Sequence, residues 1–424
     1  MSRPALKGEL PAAPGPTPGN WHDALARRGD GYVGDERNVL IALRHAPELL
    51  RLVRFDEFSL RAELTRAPPW RTAAASDPWT DADDTALKAW LQDQGVQVRQ
   101  SVADCIALVA KDASYHPVRE YLGGLEWDGE PRLQTWLAEY LNAQADPVYL
   151  AAVGCKFLIS AIARIMNPGC QVDYVLVLEG PQGIGKSRTA RTLAVRPAWF
   201  TDDMPDIHRK DAALQVCGRW ICELAELAAL RRGAEVEGMK AFLSRPVDVF
   251  RPPYGRRAVT VPRQNVFVGT TNEAHYLRDP TGNRRFWPVR CERIDLKALE
   301  RDRDQLWAEA VQAFRKSEAW HMTDAETELA RAEQQERVLV TELEATVAEY
   351  LTNLADAGIK EVSAKQVMVD ALHLEPDKAD FAERAGRLGV QVSTAMQAAG
   401  WTKLRTSGRS PNRRTIYRYT GESL

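Results

Sequence analysis

The rhythm of apolar and polar positions changes twice along the chain. From about 35 to 145, apolar residues recur at helical spacing. Thr80 stands before "DADDTALKAWLQDQG", an N-cap with acids in the first turn and a closing Gly95, and Ser101 opens a second helix, "VADCIALVAKDA". The stretch "LLRLVRFDEFSLRAEL" has a mixed period and is read as a small hairpin. From about 146 to 290, short apolar runs bounded by glycines and turns alternate with helices, the pattern of a parallel α/β sheet. Its expected strands are residues 174–179, 219–223 and 265–269. A helical, charge-alternating stretch then runs from about 295 to 355. "SAKQVMVDALHL" and "GVQVSTAMQAAG" predict two more helices, and "WTKLRTSGRSPNRRTIYRYT" a two-stranded wing. The segment 1–34, rich in Pro and Gly, is expected to be disordered. The expected division is therefore 1–34, a mostly helical domain 35–145, an α/β domain 146–325 and a terminal unit 326–424.

Composition narrows this picture. A chain that is 45% hydrophobic and 27% charged can bury a core, and a net charge of −2 confines any nucleic-acid surface to a local patch. The six cysteines form neither a C-x-x-C pair nor a cluster with histidine, which argues against zinc and disulfides and fits a reducing cytoplasm. The first twenty residues contain no apolar core of a signal peptide. The most apolar stretch, "VYLAAVGCKFLISAIARIM", carries Lys156 and Arg164 and reads as a packed helix, so no membrane partner is expected. Asp81, Asp83 and Asp84 fit helix-start acids better than a metal site, because the helix dipole favours negative charge there.

The chemistry is concentrated after the first predicted strand. Gly180, Pro181, Gln182, Gly183, Ile184, Gly185, Lys186 and Ser187 complete a G-x-x-x-x-G-K-S loop between a strand and a helix, with Arg188 just inside that helix. Backbone N–H groups of such a loop close around phosphates, Lys186 reaches the β/γ-phosphates and Ser187 ligates Mg²⁺; ATP and Mg²⁺ are the expected cofactors. Glu223, expected at the carboxyl end of the strand beside the P-loop strand, and Glu226 are candidate catalytic acids, with Glu223 also a metal ligand. Which of the two is the base stays open. Asn272, at the tip of another strand, offers a neutral amide to water and to a phosphate oxygen.

Basic residues mark candidate DNA contacts. Lys240, Arg251, Arg256 and Arg257, with Tyr254 interleaved, surround a Pro/Gly turn, the mixture that suits a backbone-tracking groove. Lys403, Arg405, Arg409, Arg413 and Arg414 give the last segment a basic face and support a winged-helix-like domain.

The order of "GPQGIGKS", "WICELAEL", "MKAFLSRPVDVFRPPYGR", "FVGTTN", "TGNRRFW" and "DQLWAEAV" resembles the virulence-associated protein E family of phages, prophages and mobile elements, over roughly residues 35–424. The resemblance implies an AAA+ P-loop ATPase similar to superfamily III viral helicases, working as a hexameric ring with ATP between subunits and a hairpin lining a DNA-filled pore. It implies Glu223 or Glu226 as the Walker B acid, Asn272 as sensor 1, and Arg284 or Arg285 as an arginine finger. Of the two, Arg285 is the leading candidate for insertion into a neighbouring subunit, with Arg284 bracing its loop. Many relatives carry a primase-type domain upstream, for which the segment here is too short, so a separate primase is an expected partner. The expected function is an ATP-dependent DNA helicase or translocase in replication of a mobile element. Its rivals are a DNA-binding AAA+ switch that separates no strands, and a small-molecule P-loop kinase. The kinase has no need of the basic segments.

Overall fold

Asn20 caps a single 3-10 turn, Trp21–Ala24, and both Trp21 and Leu25 are buried. Residues 20–34, expected to be disordered, are thus folded: one large indole supplies the apolar area that the Pro/Gly composition around it lacks. The computed structural model describes residues 20–204, 212–225, 233–251, 257–277, 283–338, 342–376, 378, 381–404 and 416–420. The chain forms two units, Met1–Glu273 with Arg284–Glu333, and Ala274–Asn283 with Gln334–Leu424.

The first unit begins with an N-terminal subdomain. β1 (Arg27–Arg28) and β2 (Gly31–Tyr32) make a tight hairpin, followed by α1 (Glu36–His45), β3 (Val53–Asp56), β4 (Arg61–Leu64), α2 (Asp81–Asp93), α3 (Ala103–Lys111), β5 (Ser114–Tyr115) and α4 (Pro117–Gly123). A sheet of order β4-β3-β5 packs with α1, α2 and α3 around Val39, Leu43, Leu87, Leu91 and Ile106, while α4 buries Val118 and Leu122 in the main core. The subdomain is therefore less purely helical than its sequence predicts, although its hairpin is where the mixed period lies. Thr80 and Asp83 form a capping box, and Asp83 also accepts hydrogen bonds from Trp70 and Arg71. These partners hold its carboxyl well below the ordinary range against the opposing effect of burial. The acid is a structural cap, as expected.

The main sheet follows. Its elements are α5 (Trp136–Leu141), β6 (Ala143–Gln144), α6 (Pro147–Met166), β7 (Val175–Glu179), α7 (Lys186–Leu193), β8 (Phe200–Thr201), α8 (Ala212–Val216) and β9 (Ile221–Ala225). Next come α9 (Gly233–Leu243), β10 (Val247–Phe250), β11 (Val259–Pro262), β12 (Val266–Thr271), β13 (Phe286–Cys291), α10 (Leu296–Arg315) and α11 (Asp324–Glu336). The six-stranded order is β6-β13-β7-β12-β9-β8, parallel except for β6. Every residue of β7 and β12 is buried, as central parallel strands covered on both faces require. α6 has the length and apolarity to cross a membrane, but most of it is buried inside this unit. β10 and β11 stand apart as an antiparallel hairpin inserted before β12.

Two expectations change here. β12 lies between β7 and β9, so the strand of Glu223 is not the immediate neighbour of the P-loop strand. Glu223 is also interior to β9, which continues to Ala225.

The second unit contains α12 (Glu342–Asp356), β14 (Glu361–Ser363), α13 (Ala364–Asp370), α14 (Phe381–Ala398), β15 (Trp401–Leu404) and β16 (Ile416–Tyr419). Its antiparallel sheet, β14-β16-β15, packs with the helices around Val347, Leu351, Val367, Met396, Trp401 and Tyr417. The strand pair β15–β16 lies where the sequence predicts two strands; β14, only three residues long, is an addition.

Candidate active site

Three strands of the parallel sheet bring their carboxyl ends to one edge, and the chemistry-bearing residues gather there. β7 leads into Gly180, whose φ is 141° and where a Cβ would lie 2.3 Å from the carbonyl oxygen of Cys291. Only glycine fits that approach. The loop closes at Gly185, the N-cap of α7, so the first N–H groups of that helix face outward from the sheet edge. Lys186 is buried and its Nζ donates to Gly180 O at 2.7 Å, Pro181 O at 2.8 Å and Asn272 Oδ1 at 2.7 Å. Burial lowers its pKa from the ordinary lysine value. Asn272 reaches Lys186 because β12 is the strand next to β7.

The other half of the site centres on Glu223, 1% exposed. Its Oε1 accepts from Ser187 Oγ at 2.6 Å and from Thr270 Oγ1 at 2.7 Å. Its Oε2 is buried and has no partner among the described residues. A buried carboxylate oxygen without a partner costs about 1–3 kcal/mol or more, a cost that a bound cation or water would relieve. No described cluster of three or more His, Cys, Asp or Glu could hold a metal. Any cation here would therefore use Ser187 and Glu223 and take its remaining ligands from substrate and water. A hydroxyl and a carboxylate are the hard oxygens that suit Mg²⁺ in that mode.

Thr270 escaped the sequence reading. Its signal was a hydroxyl directly after the apolar run "VFVG", two residues before Asn272. Glu226 lies outside the described residues.

The structure does not bring the paired arginines to this edge. Both lie on the 3-10 turn that enters β13, and the parallel register Phe286↔Val175 puts them at the amino edge of the sheet, opposite the P-loop. Arg285 is half-buried, donates from Nε and Nη2 to Ser244 Oγ at 3.3 and 3.2 Å, and lies 3.9 Å from Asp173. Arg284 is exposed. Within the chain Arg285 is held by Ser244 and lies near Asp173, whereas Arg284 is the exposed member of the pair.

Among the expected DNA contacts, Arg251 and Arg257 are exposed at the two ends of the hairpin tip, and Lys403 is exposed on β15. Lys240 is a correction. It is buried on α9 and is not presented to a nucleic-acid backbone. Tyr254, Arg256, Arg405, Arg409, Arg413 and Arg414 lie outside the described residues.

In comparison with known families, the virulence-associated protein E-like domain matches residues 122–339. The chain belongs to this family. The matched span holds Lys186, Ser187, Glu223, Thr270, Asn272 and both arginines. It is narrower than the resemblance read from sequence, omitting most of the N-terminal subdomain and nearly all of the second unit. Among curated proteins none matches. Among solved structures, an apo structure of the NrS-1 C-terminal region is 13% identical, with 87% of this chain and 95% of that chain covered and a TM-score of 0.42. A second, an A-form apo structure of the same region, is 10% identical, with 86% and 95% covered and a TM-score of 0.46.

Proposed function

We propose that this family member is an AAA+ ATPase with a winged-helix-like second unit, acting as an ATP-dependent DNA helicase or translocase in the cytoplasmic replication of a phage, prophage or plasmid-type element. The observation that carries the reading is the convergence of Lys186, Ser187, Glu223 and Asn272 at one sheet edge, with Glu223 Oε2 left unpartnered. In this reading Lys186 turns its three donors from neutral oxygens to the β/γ-phosphates, and the N–H groups of α7 hold the same charge. Glu223 orients a water and takes its proton, while the Asn272 amide steadies that water. Mg²⁺, held through Ser187 and Glu223, would neutralise phosphate charge.

Arg284, exposed on the opposite edge, is the residue we assign to a neighbouring subunit's nucleotide, as a hexameric ring requires. Arg251 and Arg257, with Tyr254 and Arg256, would meet DNA at the hairpin, and Lys403, Arg405, Arg409, Arg413 and Arg414 at the wing. A separate primase remains the expected partner.

One observation favours a second reading. Lys240 is buried and Arg263 is paired internally, which thins the basic face available to a translocating hairpin. A DNA-binding switch would need less of that face. A forked-duplex assay separates the two: ATP-dependent release of single strands supports the helicase, and DNA-stimulated hydrolysis with no released strand supports the switch. An absence of both ATP hydrolysis and DNA binding would remove both readings.

A further inference from the structure

Three residues, Arg263, Gln264 and Asn265, join the β10–β11 hairpin to β12, the strand that ends beside Asn272. Each side chain is tied to a different element. Arg263, 2% exposed, donates from Nε and Nη2 to the two carboxylate oxygens of Asp248 on β10, at 2.7 and 2.9 Å. The backbone N–H of Arg263 bonds Pro246 O at 2.9 Å, closing the hairpin at its base. Asn265 donates to Cys222 Sγ on β9 at 3.6 Å. Gln264 Oε1 lies 2.7 Å from Nε2 of His116, in the N-terminal subdomain.

The direction of that last bond follows from the histidine's other nitrogen. His116 is the N-cap of α4, and its Nδ1 accepts the Arg119 backbone N–H at 3.3 Å. The proton of the neutral ring is therefore on Nε2, which donates to Gln264. Burial pushes the His116 pKa down to about 4, with the nearby Arg119 acting in the same direction, so the neutral donor persists through the neutral range.

The same subdomain also grips the approach to β9. Asp56 accepts from the Phe58 N–H at 2.8 Å and the Ser59 hydroxyl at 2.6 Å, fixing the β3–β4 turn. That turn sits against Gly218, where a Cβ would lie 2.8 Å from Ser59 Cα. One subdomain thus touches the roots of both strands that carry the polar site residues, β9 with Glu223 and β12 with Asn272.

We propose that the N-terminal subdomain is a brace for the hairpin root and that the His116–Gln264 hydrogen bond is its positioning contact, so that displacement of the hairpin by DNA passes along β12 to Asn272. A root free to rotate absorbs such a displacement; a root tied on three sides transmits it. The DNA half of this statement rests on the function proposed above. The brace itself does not.

The test uses two variants of the full chain. Gln264→Met keeps the length but leaves the buried Nε2–H without an acceptor, whereas Gln264→Glu keeps an acceptor. In Gln264→Met, hydrogen exchange of the β10 and β11 amides should rise about tenfold, the scale of one lost buried hydrogen bond. ATP hydrolysis without DNA should hold while its stimulation by forked DNA falls, and Gln264→Glu should recover both exchange and stimulation. Unchanged exchange, unchanged stimulation, or an equal fall in basal and stimulated rates would each overturn the proposal. If the unsubstituted protein shows no stimulation by DNA, the function reading fails by itself. Exchange then still decides the brace: no rise in Gln264→Met contradicts it.

Discussion

At the carboxyl edge of the main sheet, Lys186, Ser187, Thr270, Glu223 and Asn272 meet from separate segments, and one oxygen of the central carboxylate has no partner among the described residues. At the amino edge of the same sheet the carboxylates are occupied. Asp248 is matched on both oxygens by Arg263, and Arg285 is held by Ser244 and lies near Asp173. Among the described residues, the unpartnered buried atoms there are the amide oxygen of Asn265, two guanidinium nitrogens of Arg164 and one nitrogen of Arg219. Burying an unmatched carboxylate oxygen is costly. It persists at the edge where a phosphate-bound cation or a water can meet it, while at the opposite edge both oxygens of Asp248 are closed off by Arg263. One sheet supports both because parallel strands send all their carboxyl ends the same way.

The contrast can be broken first at the closed edge. Arg263→Ala leaves Asp248, 6% exposed, as an uncompensated buried charge, and should cost about 3–5 kcal/mol in denaturant unfolding. A loss below about 1 kcal/mol would mean that the pair is no more than a surface salt bridge.

A second measurement sharpens the comparison through pH. The His116 pKa is about 4 in the folded chain against an ordinary value of 6.5. Above 6.5 the ring is neutral in both states and stability is unaffected. As pH falls from 6.5 towards 4, only the unfolded chain gains the proton, so stability should drop by about 3 kcal/mol across that window. His116→Gln should flatten that share of the slope in stability curves taken between pH 7 and 4, and an unaltered slope would contradict the buried neutral ring.

The smallest effect lies at the open edge. Thr270→Val removes one of the two hydroxyls holding Glu223 Oε1, and should lower kcat about tenfold with little change in KM for ATP. Thr270→Ser should restore the rate. Equal rates in all three proteins would make Thr270 a packing residue.

The P-loop was legible in sequence because its chemistry is contiguous: glycines, Lys186 and Ser187 act within one turn of chain. Asn272 was legible because it ends an apolar run. The contact between Glu223 and Thr270 was not, since it depends on strand order, and periodicity does not reveal that β12 lies between β7 and β9. Basic residues misled for a related reason. Arg263, which ends the basic stretch in sequence, is matched instead by Asp248, fifteen residues earlier, across a hairpin. Trp21 shows the opposite failure, in which local composition argued for disorder while one side chain reached a core assembled from distant helices.

The central claim is that the carboxyl edge hydrolyses ATP. It is tested most directly by comparing steady-state ATP hydrolysis of the full chain and of Lys186→Ala, with folding checked by thermal unfolding. The account predicts turnover in the unsubstituted protein and a fall of about 10³ in the variant, since removing a charged group that meets developing phosphate charge has effects of that order. A folded Lys186→Ala protein that kept more than about a tenth of the turnover would contradict it, because an electrostatic catalytic group cannot be lost so cheaply.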